Sequence, residues 1–391
     1  MNVSVIGDKC TGCHSCEQAC PTRSIVLKKN KEGFPYPVIS DLCIDCSACL
    51  NYCHINNNAE MRLPIICYAA YINDFDLLKK STSGGIFTAL ALNIIKNNGV
   101  VAGCCESETG NVNHIIIDDI NDIALLQGSK YTESNTEDIY KAVKKELVDG
   151  KKVLFSGTPC QIAGLKTFLG KEYDNLITVD IVCHGVPSQM LYKEYIDWES
   201  KKNKGKIEKF LFRSKQKHGW SLTYRMELKK NRKLIVKEHI ATLSPYYYHF
   251  LQGINYRESC YKCKYAQPKR VSDITLCDFW GIEKVLPEFN NYNGVSGVLL
   301  NTEKGIQAWE QINSTVSYKS IPYEKIMNNN GQLNAPTKRT VIRDNYYDFV
   351  NENGFDGVSR RYTSIKTLIK DSLKDLIPNK LRQKIKKIVK R

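Results

Sequence analysis

Apolar positions along the chain follow two rhythms. Between residues 65 and 191, short apolar runs alternate with stretches of helical spacing. Residues 65–72, 100–104, 153–156 and 177–183 read as short buried strands. Residues 86–96, ending near Gly99, together with 162–169 and 190–198, read as helices that follow loops. Such alternation predicts an α/β core. From about residue 205 to 335 the pattern mixes strands with cysteine- and glycine-bearing loops and fixes no topology. Residues 365–377 and 381–389 carry amphipathic helical spacing, broken at Pro378.

The first 60 residues follow neither rhythm. They hold eight of the 16 cysteines, in two runs separated by a lysine-rich, Gly/Pro-punctuated stretch, residues 28–37, that reads as a loop or short hairpin. Cys10, Cys13, Cys16 and Cys20, followed by Pro21, reproduce the spacing of bacterial two-cluster ferredoxins. Cys43, Cys46, Cys49 and Cys53 repeat it, with His54 where a proline usually stands, at an expected cost in loop rigidity. In such modules three thiolates of one run and the fourth of the other share a cube. That pairing assigns Cys10, Cys13, Cys16 and Cys53 to one 4Fe–4S cluster, and Cys43, Cys46, Cys49 and Cys20 to the second. Zinc would favour two separated knuckles over this tight run of four. Residues 56–64 read as a linker.

Five more cysteines fall in predicted loops. Cys160 and Cys183 each follow a predicted strand, Cys260 and Cys263 form a C-x2-C pair, and Cys277 stands alone. Four of them are suited to a third cluster, or all are scattered buried thiols. Cys67, Cys104 and Cys105 read as core. Ser81-Thr82-Ser83-Gly84-Gly85 and Thr158-Pro159 each precede a helical run, where exposed amides suit phosphate oxygens or an ordinary cap. No GxGxxG or Walker loop is present.

Several blocks together resemble the β-subunit family of coenzyme F420 hydrogenases and dehydrogenases, in its bacterial form with a fused amino-terminal ferredoxin. They are Ser83-Gly84-Gly85-Ile86-Phe87-Thr88, Gly128-Ser129-Lys130-Tyr131, Gly157-Thr158-Pro159-Cys160-Gln161 and Cys183-His184-Gly185-Val186-Pro187-Ser188. Phe212-Arg213-Ser214-Lys215, Ser259-Cys260-Tyr261-Lys262-Cys263 and Asp278-Phe279-Trp280-Gly281 extend the match. The resemblance implies an α+β ferredoxin-like module at residues 1–60, followed by an α/β flavin-binding catalytic domain at 65–345. It implies FAD lined by Ser83, Gly84, Gly85, Gly128, Ser129, Lys130 and Tyr131, with Gly157, Thr158 and Pro159 beside it. It implies a third cluster on Cys160, Cys183, Cys260 and Cys263, although Cys277, standing where the family has glycine, could replace one ligand.

The implied activity is an iron–sulfur flavoprotein oxidoreductase, exchanging hydride with F420 or another organic substrate. A flavin joins one-electron carriers to two-electron chemistry. Lys130 would then touch the flavin, His184 would donate a proton, and Arg213 and Lys215 would receive an anionic substrate or lie on a solvated strand edge. A ferredoxin or reductase would be the redox partner. The alternative is an electron-transfer subunit serving a partner enzyme, by analogy in cell-surface polysaccharide synthesis.

The formal charge of +15 is concentrated at the carboxyl end, where residues 359–391 carry twelve Lys and Arg against two Asp. No basic–aromatic motif accompanies it, so nucleic acid is not an expected partner. The segment reads as a basic amphipathic tail suited to peripheral membrane contact, most plainly in the cation-rich residues 380–391. With no apolar leader-like run and no stretch near the ~18 residues needed to span a bilayer, the expectation is a cytoplasmic protein, in contact with the inner membrane face.

Overall fold

A computed structural model describes residues 1–107 and 110–377; the second half of the basic tail lies outside them. The amino-terminal module consists of a 3-10 segment (Val3–Lys9), α1 (Ser15–Ala19), β1 (Ile25–Lys29), β2 (Pro35–Ile39) and α2 (Ala48–Asn51). β1 and β2 form an antiparallel hairpin, Ile25 opposite Ile39, which settles the loop-or-hairpin choice. Its small core is Val3, Ile6, Ile25 and Leu50 packed with Cys16, Cys49 and Cys53.

The rest is built on an eight-stranded mixed sheet. Its chain order is β3 (Ile66–Ile72), α3 (Phe75–Lys80), α4 (Ile86–Lys96), β4 (Val100–Glu106), β5 (Val112–Ile117), α5 (Ile123–Leu126), α6 (Ile139–Val148), β6 (Val153–Gly157), α7 (Pro159–Leu169), β7 (Leu176–Ile181) and α8 (Gln189–Asn203). The untraced stretch supplies a separate antiparallel sheet, β8 (Lys206–Leu211), β9 (Thr223–Lys230) and β10 (Lys233–Ile240), then α9 (Pro245–Leu251). It also returns β11 (Ile274–Asp278), α10 (Ile282–Val285), β12 (Ser296–Leu300), α11 (Glu303–Glu310), β13 (Val316–Ser320) and α12 (Tyr323–Met327) to the main sheet. α13 (Arg343–Tyr362), interrupted at Gly354, and α14 (Ile365–Asp375) close the described chain.

Strand order in the large sheet is β13-β3-β12-β11-β7-β6-β4-β5. The central strands β11, β7, β6 and β4 are mutually parallel. Their carboxyl ends therefore share one edge of the sheet, where open α/β sheets bind ligands. The segments leaving that edge carry Cys160, at the start of α7, and Cys183 and Trp280, in loops. The predicted strands and helices in residues 65–191 stand within a few residues of those observed, with α7 starting earlier and α8 running longer than their apolar spacing indicated. Capping explains α7: Thr158 is the cap, Pro159 the first helical residue, and Gln161 completes a reciprocal capping box.

Gly84 is required by the sheet, not by a ligand. A Cβ there would lie 2.2 Å from the Ala70 carbonyl and 2.7 Å from the Ser296 amide, both backbone atoms of neighbouring strands. Gly84→Val is therefore expected to cost about 3 kcal/mol or more in stability, read as a fall in thermal midpoint of the whole chain. An unchanged midpoint would show that the loop can shift freely.

Candidate iron–sulfur and cofactor site

The first cysteine set closes on itself in space. Cys10, Cys13, Cys16 and Cys53 line one small cavity with Val3, Ile6 and Leu27. Burial pushes the Cys13 thiol up to about 12, and Cys10, Cys53 and Cys160 add like-charge repulsion. Cys16 is raised by burial and by Cys13, Cys10 and Cys53. Such crowding is unfavourable for bare thiolates and is relieved by a cationic iron centre. Four soft thiolates with no carboxylate among them match an iron–sulfur donor set. In the second set, Cys20 and Cys49 interact, Cys49 is buried and Cys46 is exposed. Burial raises Cys20, but hydrogen bonds from Ser24 and Thr22 outweigh it and bring the thiol to about 7. Among the described residues no three His, Cys, Asp or Glu side chains gather tightly enough to hold a single metal ion.

The loop cysteines Cys160, Cys183, Cys260 and Cys263 also converge. Burial pushes Cys160 up to about 11, followed by repulsion from Cys263. Cys183 is raised by burial and by Cys160 and Cys263, and Cys260 by burial and by Cys183, Cys263 and Cys160. Cys277 stands apart. Its thiol bonds the Gly297 carbonyl at 3.6 Å and packs with Cys67 and Ile326.

The module meets this quartet through three contacts that the sequence did not announce. Arg257, buried, donates to the carbonyls of Cys10 (2.8 Å) and Pro35 (2.6 Å), while its own carbonyl accepts from the Cys260 amide at 3.0 Å. Its guanidinium covers the Tyr36 ring at 4.4 Å. Among the described residues its carboxylate partner is Glu133, at 3.5 Å. Burial pushes that acid up to about 7 against the pull of Arg257. His54, next to Cys53, lies 2.6 Å from the Tyr265 hydroxyl through Nδ1 and 2.9 Å from the Thr11 hydroxyl through Nε2. The expected loss of rigidity at His54 is thus corrected: burial and two hydrogen bonds pin the ring, and burial brings it down to about 3. Finally, a Cβ on Gly164 would sit 3.0 Å from Cys13 Sγ, so α7 touches the first set one turn after Cys160.

Beside the loop quartet lies a cleft of about 580 Å³, which the module also reaches through Thr11, Gly12 and His14. Ser83, Gly85, Gly128, Ser129, Lys130, Tyr131, Gly157 and Thr158 line it, as do Cys160, Cys183, His184 and Trp280. α4 follows Gly85, which holds the cap position in the left-handed region at φ 79° and offers no side-chain cap. The amides of Ile86, Phe87 and Thr88 have no carbonyl one turn earlier to bond, and these three residues also line the cleft. Nothing lies within 4 Å of where a Gly128 Cβ would be. Trp280 stacks on Trp220, with centroids 4.8 Å apart and planes at 2°. An uncapped helix start beside an aromatic wall fits a ligand with an anionic end and a flat ring.

Other expected roles change. Gly84 and Pro159 do not line the cleft, Gly84 because the strands enclose it and Pro159 because it is buried as the first residue of α7. The Lys130 ammonium already donates to the carbonyls of Leu125 (3.3 Å), Leu126 (3.2 Å) and Gln127 (2.9 Å). Its three hydrogens are used at the carboxyl end of α5, so it holds the cleft wall and has none left for a ring. Arg213 and Lys215 are neither on a solvated edge nor aimed at a substrate. Arg213 pairs with both oxygens of Asp278 (2.7 and 3.2 Å). Lys215 donates to the carbonyls of Leu78 (2.8 Å) and Ser83 (2.7 Å), which ties the α3–α4 loop in place. His184 lines the cleft, and its ring nitrogens make no hydrogen bond among the described residues. Burial lowers its basicity, and the charge of Asp278 raises it.

Residues 150–325 match the family model for the carboxyl terminus of the coenzyme F420 hydrogenase/dehydrogenase beta subunit, and residues 9–57 match the 4Fe-4S dicluster domain. No curated protein sequence matches the chain. Among solved structures, a chain of the xenon-derivatised F420-reducing NiFe hydrogenase complex from Methanosarcina barkeri is 16% identical, over 77% of this chain and 92% of that one, with a TM-score of 0.42. Residues 150–325 are thus similar to the carboxyl terminus of the coenzyme F420 hydrogenase/dehydrogenase beta subunit, and with the dicluster domain at residues 9–57 the chain is related to iron–sulfur electron-transfer subunits.

Proposed function

We propose that the chain is an iron–sulfur flavoprotein oxidoreductase with three 4Fe–4S centres and FAD, acting on F420 or another organic hydride acceptor. One observation carries this reading: Cys160 and Cys183 of the loop quartet line the cleft at the carboxyl edge of the parallel strands, while α7, which carries Cys160, also touches Cys13 of the first set. When bound, the clusters supply single electrons and the flavin exchanges them for hydride. The chain's residues supply the order of sites. Arg257, His54 and Gly164 hold the module against the quartet. The first-turn amides of α4 receive the anionic end of the dinucleotide, Trp280 walls the ring, and His184 holds or releases a proton at a ring nitrogen. A ferredoxin or reductase has access at Cys46, beside Leu42 and Ile44, which are 67% and 65% exposed.

Anaerobically purified protein should contain about 12 irons and about 12 labile sulfides per chain, against about 8 for the module alone, together with one flavin. About 8 irons at full flavin occupancy would refute the third cluster. Ser129 lies 3.3 Å from Thr82 across the cleft wall. Ser129→Glu places a carboxylate there and should weaken flavin retention about tenfold or more, the equivalent of about 1.4 kcal/mol, with iron unchanged. Wild-type flavin content in that variant would remove FAD from this cleft.

A further inference from the structure

α14 is attached to the body through its acids. Asp371 accepts from the Thr242 hydroxyl at 2.6 Å. Asp375 accepts from Lys217 at 2.8 Å and from the Ile240 amide at 3.0 Å, with the His239 and His218 rings 2.9 and 3.2 Å away. Both carboxylates are buried. Three of the helix's four aliphatic residues, with Leu376 at its cap, lie on an exposed side, while Leu368 is half-buried. Ile365, Ile369, Leu373 and Leu376 are 71%, 61%, 63% and 78% exposed, and their spacing lays them in one stripe. A helix that closes a core normally turns such a stripe inward. Lys366 and Lys370, also exposed, flank it.

We propose that α14 is the docking face for an anionic lipid bilayer, with the aliphatic stripe entering the headgroup boundary and the lysines meeting phosphates. The sequence placed membrane contact in residues 380–391, which lie outside the described residues; the structure moves its apolar part to α14. The charge of the adjoining carboxyl-terminal segment selects the partner. Residues 378–391 hold seven Lys and Arg and no acid, joined directly to the end of the stripe. Two copies meeting stripe to stripe would bring these cations together, whereas an anionic surface neutralises them. Among the described residues no helix is long and apolar enough to cross a membrane, so the contact is peripheral.

The test is flotation of the full chain with vesicles of phosphatidylglycerol and phosphatidylcholine, and with phosphatidylcholine alone, at low and high salt. The expected result is binding to the anionic vesicles only, lost at high salt. It should fall about tenfold or more in Ile369→Asp/Leu373→Asp and in a chain ending at Asn379, each with wild-type iron content. Absence of binding, or equal binding by all three forms, overturns the proposal. So does a concentration-dependent dimer that the double substitution disperses, because a second copy would then cover the stripe.

Discussion

Cys183→Ala is expected to lower the iron content from about 12 to about 8 per chain, the loss of one cube, while the signals of the module's two clusters persist. Cys183 is the ligand best isolated for this test. It leaves the carboxyl end of β7, far in sequence from the module, and the thiols that act on it are those of Cys160 and Cys263. Reduction of the flavin by an electron donor that docks on the module should slow by at least about 100-fold, because the cleft would lose the cluster held by Cys160 and Cys183, which line it. One result would count against this. Iron near 12 in the variant would mean that the Cys183 thiolate is not a ligand, or that Cys277 moves in to replace it. The packing of Cys277 against Gly297 and Ile326 opposes that move, and a Cys183→Ala/Cys277→Ala double variant separates the two causes.

Arg257→Gln should lower the reduction potentials of the first-set and loop clusters while leaving the second-set cluster unmoved. The guanidinium is buried, bonds the Cys10 carbonyl and precedes Cys260 by three residues. Its charge therefore acts on both neighbours, and Glu133 at 3.5 Å only partly offsets it. A unit charge acting across about 8 Å at an effective dielectric of about 20 contributes about 2 kcal/mol, which for one electron is on the order of 90 mV. Removing a cation disfavours the more negative, reduced state, so the sign is downward. EPR-monitored redox titration reads all three clusters in one sample. Arg257→Lys should restore much of the potential but not the Tyr36 stacking or the paired carbonyl bonds. Equal shifts in all three clusters would indicate general loosening, and no shift would remove the charge from its assigned place.

The sequence carried local chemistry well. Thiolate spacing within Cys10–Cys20 and Cys43–Cys53 depends on a few adjacent residues, so it is legible without a fold. The same is true of the alternating runs between residues 65 and 191, where each strand or helix announces itself through its own period. Residues 205–335 were not legible, because β11 and β12 enter the large sheet next to β7 and β3, and no local signal states which distant strand will pair.

Tertiary structure decided what each polar residue faces. Arg213, Lys215 and Lys130 look alike in sequence, as cations near a family motif. Burial forces each onto the nearest acceptor: Asp278 for Arg213, and backbone carbonyls for the two lysines. Gly84 reads as a ligand-facing glycine until two strand backbones are seen to occupy the space of its missing side chain. His54 reads as a lost proline until Tyr265, more than 200 residues later, meets its ring. What the sequence determined by itself was the kind of chemistry, because ligand identity and spacing are covalent properties of short segments. Which cysteine set adjoins the cleft, which cation is free to act and which face of α14 is exposed were decided by the fold alone, because each depends on contacts between residues distant along the chain.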